Sequence, residues 1–311
     1  MNTPAPIIFI VFNRPDHTKQ VLEALQANSL AKASTLHIFS DGSRGVQDDE
    51  AIANVRNVTR KASGFKEIVW HESAENKGCS HSVLSAIDYI LSLYDRCIVV
   101  EDDILVSPLF LEYMNAALDY YASNESIFCV GAYRTPFKIP SSYTKDLYLM
   151  RRATSWGWGT WKRAWSSISV DPDVIKQDLK DPQIRKAFGE HGEDWLRTFD
   201  LVPDIWDLRV SYGIWKSGMY TVLPVQSYAH NIGKDGSGVN YHGAALKVKE
   251  DIQFADKLPQ FIPLDNIDEA VRIAYKHFTH KPSWRLFITT TAKKIGVYKF
   301  LLRIWESFGL H

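Results

Sequence analysis

The chain has 311 residues, 36 basic and 36 acidic side chains, and a formal net charge of zero. An apolar fraction of 45% and an aromatic fraction of 13% supply a large core and exclude disorder over most of the length. The neutral balance excludes a nucleic-acid binder that works through bulk positive charge.

The first part alternates strand-like and helix-like segments. Residues 6–12 (PIIFIVF) form a continuous apolar run, as in a strand covered on both faces. A helix follows, with Pro15 suited to its first turn. Residues 35–42 (TLHIFSDG) predict a second strand ending in a turn, and a polar helix is expected over 48–63. Residues 67–72 predict a third strand, 77–94 a helix with apolar residues at helical spacing, and 96–104 a fourth strand. Ser107 and Pro108 then suggest the N-cap and first position of another helix. This alternation predicts an α/β fold with a mostly parallel sheet flanked by helices.

The pattern loosens after Ile127. SIFCVGA and DLYLM read as strands, and GTWKRAWSSI as a helix that sets Trp161 and Trp165 four apart on one face. Residues 171–188 are polar and read as peripheral. TVLPVQSYAHNIGKDGSG reads as a strand entering a Gly-rich loop. The domain expectation is a catalytic unit over 1–240, split into halves at 104/105, and a C-terminal extension over 241–311 that is partly helical and basic.

Charge is segregated along this plan. From Lys281 to His311 there are six basic residues and one acid, Glu306, so the rest of the chain is net acidic. In residues 282–311, Trp284, Ile288, Ile295, Tyr298, Leu302 and Trp305 fall near one helical face, beside Arg285, Lys299 and Arg303. This reads as an interfacial helix on an anionic leaflet, or as a tail packed on its own domain or on a second subunit of a homodimer. The three cysteines, Cys79, Cys97 and Cys129, match no zinc spacing. Cys97 and Cys129 lie in apolar runs and read as small core residues. No stretch approaches the roughly 20 apolar residues of a membrane span, and no signal peptide is evident. The expected location is cytoplasmic, with peripheral contact at the inner face of the cytoplasmic membrane through the tail.

The strongest chemical signal is Glu101-Asp102-Asp103 at the end of the fourth strand. Three successive acids there are costly to desolvate unless paired or bound to a cation. Ligands of open α/β sheets gather at the C-terminal strand ends, where carboxylates suit a hard divalent ion bridging to a diphosphate. The alternative is a solvated acidic loop facing a helix N-terminus. The other strand ends are also polar. Arg14 offers a guanidinium, Asp41 an acceptor for a base N–H or ribose hydroxyl, and Asn76, Lys77 and Gly78 a turn, with Asn76 and Lys77 expected to bind the nucleotide cofactor in a site these strand ends share. No G-x-G-x-x-G, Walker A or G-x-S-x-G motif is present, which excludes the common dinucleotide, P-loop and serine-hydrolase designs.

Two further stretches stand out. In TSWGWGTW, Trp156, Gly157 and Trp158 could present aromatic faces to a sugar ring, with glycine allowing close backbone approach, or could belong to the core. Asp207, in PDIWDLRV, is either ion-paired or a general base with a raised pKa, and Asp204 competes for that role. His230 precedes the Gly-rich loop and is a candidate metal ligand or lid residue.

The segments PIIFIVFNRP, HIFSDG, CIVVEDDILVSPLFLEYM, TSWGWGTWKRAW and IWDLRV together resemble GT-A-fold, nucleotide-sugar-dependent glycosyltransferases over residues 5–235. The likeness is to the inverting N-acetylglucosaminyltransferase I type and to bacterial polysaccharide glycosyltransferases. It implies a metal-dependent hexosyl- or N-acetylhexosaminyltransferase that uses a UDP-sugar donor and a glycan or lipid-linked glycan acceptor, in surface polysaccharide or lipopolysaccharide synthesis. By this resemblance Arg14 and Asp41 bind the nucleotide, with Asp41 on uracil. Glu101 and Asp102 contact nucleoside and donor sugar, Asp103 ligates Mn2+ or Mg2+, and Asp207 is the catalytic base. A sugar nucleotidyltransferase and a non-catalytic sugar-nucleotide or glycan-binding module are the alternatives.

Overall fold

The computed structural model describes residues 3–191, 193–201, 205–233 and 253–279. Its strands are β1 (Ile7–Val11), β2 (Thr35–Ser40), β3 (Glu67–Glu72), β4 (Arg96–Glu101), β5 (Ile104–Val106), β6 (Ile127–Gly131), β7 (Leu147–Met150), β8 (Trp158–Trp161), β9 (Tyr220–Pro224) and β10 (Ala229–Asn231). The helices of the first half are α1 (Pro15–Gln26), α2 (Val46–Thr59), α3 (Cys79–Leu93) and α4 (Phe110–Tyr120). Those of the second are α5 (Lys162–Trp165), α6 (Pro172–Asp178), α7 (Pro182–Gly189), α8 (Glu193–Leu201), α9 (Trp206–Ser217) and α10 (Glu269–Thr279).

Eight strands form one sheet in the order β3-β2-β1-β4-β8-β6-β9-β7. Pairs β1–β2, β2–β3, β1–β4 and β6–β9 are parallel, while β4–β8, β6–β8 and β7–β9 are antiparallel. The expected α/β class with a mostly parallel, helix-flanked sheet is what the chain adopts. All five residues of β1 and the central four of β4 are buried, because helices cover both faces of a parallel sheet and leave no polar side. The first three strands run outward from β1, and β4 returns to its other side. Strand order therefore reverses between β1 and β4, and a crevice opens at their C-terminal ends.

Tertiary pairing overrides three local expectations. The fourth strand stops at Glu101, a turn holds Asp102 and Asp103, and β5 begins at Ile104. Trp161 belongs to β8, opposite Arg96 of β4, so it does not share a helix with Trp165. The helix expected at Pro108 starts at Phe110. Ser107 is instead tied to β10's entry, its N–H donating to Tyr228 O at 2.8 Å. The polar stretch 171–188 does form peripheral helices, α6 and α7, each N-capped by an Asp side chain. They carry a satellite core of Ile175, Leu179, Phe188, Trp195, Phe199, Leu208 and Tyr212.

Cys97 and Cys129 are buried, as their apolar settings predict, and Cys79 is exposed. The described part of the C-terminal extension packs on the body. Val271 and Tyr275 of α10 join Phe137, Tyr148 and Leu223 in one cluster, and Tyr121 Oη donates to Ile262 O at 2.8 Å. Among the described residues, no helix is long and apolar enough to cross a membrane. Asp204 and the basic tail 281–311 lie outside the described residues.

Candidate active site at the β1–β4 crevice

A cavity of about 490 Å3 lies at the reversal point, within the size range of small-molecule sites. Arg14, Asp41, Asn76, Gly78, Glu101, Asp102, Asp103, Trp156 and Asp207 all line it. The sheet thus gathers residues spread over nearly 200 positions onto one surface. Lys77, Gly157 and Trp158 do not line it.

Arg14 ends the loop after β1. Its carbonyl accepts from Thr18 N at 2.9 Å and Thr18 Oγ1 at 2.8 Å, which anchors it at the start of α1. Its guanidinium spans two consecutive acids. Nη1 donates to Asp103 Oδ2 at 2.9 Å, and Nη2 pairs with Asp102 Oδ1. Asp102 is 3% exposed and also accepts from Phe12 N at 3.2 Å. Burial works against the Arg14 charge, but Asp102 and Asp103 hold its pKa above the usual value. Burial pushes Asp102 up, with Arg14 opposing.

Glu101 closes β4 beside this pair. Its carboxyl is pushed well above the usual range by burial, then by Asp103, Asp102 and Asp207, against Arg14. Five carboxyl groups, those of Asp41, Glu101, Asp102, Asp103 and Asp207, line the cavity against the two guanidinium groups of Arg14 and Arg44. Asp207 stands in the first turn of α9. Burial raises its pKa, while Arg152, the Leu208 amide and the Ser155 hydroxyl oppose the shift.

Asp41 is 8% exposed and binds the neighbouring loop. Oδ1 accepts from Gly42 N at 2.9 Å and Lys77 N at 2.9 Å. Oδ2 accepts from Asn76 Nδ2 at 3.1 Å, Lys77 N at 3.1 Å and Gly78 N at 3.0 Å. Asp41 thus fastens the second strand end to the third. Lys77 contributes its backbone here, and its side chain faces solvent.

The WGWG stretch divides its parts. Trp156 lines the cavity, its ring 4.2 Å from that of Tyr133. Trp158 is 0% exposed and stacks on Trp206, so it supports the wall from behind. Gly157 has φ +72°, and a Cβ there would meet Phe110 Cε2 at 3.0 Å and Ala229 Cβ at 3.2 Å. Its glycine serves backbone conformation and core packing. His230 sits on β10 opposite Leu105, with its ring against Tyr133 and Phe254, and does not line the cavity.

Sequence reasoning missed Arg44, Ser155, Asn231 and Gly233, which also line the cavity. Arg44 lies over the Phe12 ring at 4.9 Å and is gripped by Asp48 at 2.6 and 2.8 Å. It lies in the turn between β2 and α2, where no local pattern marks it. Asn231 and Gly233 arrive through the antiparallel β5–β10 pair, with Ile232 N donating to Asp103 O at 2.8 Å. That pairing joins residues far apart in the chain, so no local pattern announces it.

No protein-family model matches the chain, and a comparison with curated proteins finds no match. Solved structures with partial similarity to the chain include the following two. One is the mannosyltransferase PcManGT from Pyrobaculum calidifontis, described in complex with GDP-Man and Mn2+. It has 12% identity and a TM-score of 0.38 over 51% of this chain and 45% of that one. The other is S. aureus TarS, with 11% identity and a TM-score of 0.38 over 74% of this chain and 37% of that one. The chain therefore spans less than half the length of each.

Proposed function

We propose that the protein is an inverting glycosyltransferase of GT-A type that moves a sugar from a UDP-sugar to a glycan hydroxyl. The observation that carries this reading is the convergence of the Glu101–Asp103 turn and Asp207 on one cavity at the β1–β4 reversal.

The donor set suits a divalent ion shared with substrate. Among the described residues, no three or more His, Cys, Asp or Glu side chains form a ready-made ion cage. Mg2+-class ions commonly take one or two protein carboxylates, with phosphates and water completing the shell. Asp103 is the carboxylate that fits this role, and it shares the cavity with Glu101, Asp102 and Asp207. When bound, Mn2+ or Mg2+ would supply Lewis-acid stabilisation of the diphosphate leaving group. Arg14 would pair with phosphate oxygens as a planar fork. The loop fastened by Asp41 would border the nucleoside, and Trp156 would face the sugar. Asp207, with its raised pKa, would take the proton of the acceptor hydroxyl as it attacks the anomeric carbon. One base and an in-line displacement invert that centre.

The test is a panel of nucleotide sugars incubated with the protein and Mn2+, then with EDTA. Metal-dependent release of nucleoside diphosphate is the expected result. Inert nucleotide sugars, with pyrophosphate released from a nucleoside triphosphate and a sugar 1-phosphate, would indicate a nucleotidyltransferase, and binding without turnover in either assay a binding module. Release that survives both EDTA and Asp103→Ala would overturn the metal assignment.

A further inference from the structure

Resting on the donor-site reading above, we propose that Arg14 is an internal counter-ion. It holds the cation position beside Asp103 until a nucleoside diphosphate draws it away, so that divalent-ion binding depends on the nucleotide.

Four observations carry this. First, one guanidinium serves two consecutive carboxylates, with Nη1 2.9 Å from Asp103 Oδ2 and Nη2 on Asp102. Second, the pair is largely enclosed, with side-chain exposures of 17% for Arg14 and 15% for Asp103. A hard cation on that oxygen would lie against the guanidinium in a poorly screened setting, and two positive charges at such range repel. Third, Gly233 covers the pair with bare backbone. A Cβ there would come within 2.5 Å of Asp103 Oδ2 and 2.9 Å of Arg14 Nη1. The Gly233 backbone thus closes over the same carboxylate oxygen and guanidinium nitrogen. Fourth, the Arg14 backbone is fixed by Thr18, while its long side chain lines the cavity where a nucleotide would enter.

A diphosphate resolves the competition. Its oxygens offer the guanidinium a bidentate acceptor, which frees Asp103. The same phosphates supply ligands that complete a divalent ion's shell. Ion and nucleotide binding are thereby coupled, and the coupling is reciprocal. Without nucleotide, the ion's apparent affinity is lowered by the fraction of molecules in which Arg14 holds Asp103.

The experiment is Mn2+ titration of the full chain, followed by the EPR signal of free Mn2+ and corrected for Mn2+ that UDP binds in solution. It uses the wild type, Arg14→Gln and Arg14→Lys, each with and without UDP. We expect UDP to tighten wild-type Mn2+ binding by about tenfold or more. Arg14→Gln should bind Mn2+ alone about tenfold tighter than wild type, with a smaller UDP effect. Arg14→Lys, which keeps the charge but cannot fork across both acids, should fall between. If folded Arg14→Gln binds Mn2+ no tighter than wild type, while wild-type binding remains UDP-dependent, the counter-ion role is wrong and the donor site stands. Should Arg14→Gln fail to fold, a Lys variant equal to wild type overturns the proposal in its place. If wild type binds neither Mn2+ nor UDP, the donor-site reading falls with it.

Discussion

The indole rings of Trp158 and Trp206 stack with centroids 5.6 Å apart and 19° between their planes. Trp158 lies on β8 at the sheet centre, and Trp206 is the residue before Asp207. The stack fixes the start of α9 against the sheet and so sets where the Asp207 carboxylate stands. Trp158→Ala should cost about 3–5 kcal/mol of stability, as a large buried aromatic does. Turnover should fall by more than the folded fraction explains, because α9 loses its seat. Urea unfolding with activity per folded molecule checks both, and unchanged specific activity would separate the stack from the site.

Asp207→Asn separates chemistry from binding. Turnover should drop ~10²–10⁴-fold, the usual worth of a general base, while donor affinity stays near wild type. Stability should move the other way. Burial raises the folded-state pKa of Asp207, so the folded state binds this proton more tightly than the unfolded chain. Wild-type stability then decreases as pH rises from the ordinary carboxylate value through the raised one. Asn removes that slope. Melting temperatures of both proteins from pH 4 to 8 test the sign, and parallel curves would refute it.

Asp41→Ala should loosen the loop at 76–78. The carboxylate accepts from Gly42, Asn76, Lys77 and Gly78, and losing charged bonds of this kind costs about 1.5–3 kcal/mol. Donor KM should rise with kcat little changed, since the loop borders the proposed nucleoside position. A kcat loss at constant KM would place Asp41 in the chemistry instead.

Gly157→Ala tests whether that glycine meets ligand or core. A left-handed backbone costs about 1–2 kcal/mol for a residue with a side chain, and Phe110 must also give way. The expected outcome is a lower denaturation midpoint with donor KM unchanged. An altered KM at full stability would return Gly157 to the ligand surface.

His37 supplies a pH effect away from the site. Burial, then His71, push its pKa down to about 4, and its Nδ1 lies 3.2 Å from His71 Nε2. The unfolded chain takes up this proton first, so stability is lost as pH falls from about 6.5 toward 4, by up to ~2–3 kcal/mol. His37→Phe should flatten the melting-temperature profile in that window. A profile as steep as wild type would assign the effect to other groups.

The parallel half of the fold was legible because its signals are local. Continuous apolar runs at residues 6–12 and 97–100 read as buried strands, and Pro15 marked a helix start that the structure keeps. The acids of 101–103 stood out for a physical reason, since uncompensated charge does not follow a buried strand without cause. Strand ends of an open sheet then placed Arg14, Asp41 and Asn76 on the same edge.

What remained hidden depended on partners remote in sequence. Trp156 and Trp158 differ by two positions, yet one lines the cavity and the other is sealed behind it. Sequence alone offered the same aromatic identity for both. Asp41 reads from sequence as a base acceptor, and only the fold shows that its carboxylate also holds loop 76–78 while lining the cavity. Gly233 gained meaning when β10 paired with β5 and set its Cα over Arg14 and Asp103. By itself, the sequence determined the layered α/β class and singled out candidate residues for chemistry, because periodicity and buried charge are properties of a segment. Tertiary structure alone decided which of them share a cavity and which cation sits against Asp103, because those depend on distances that only the closed sheet sets.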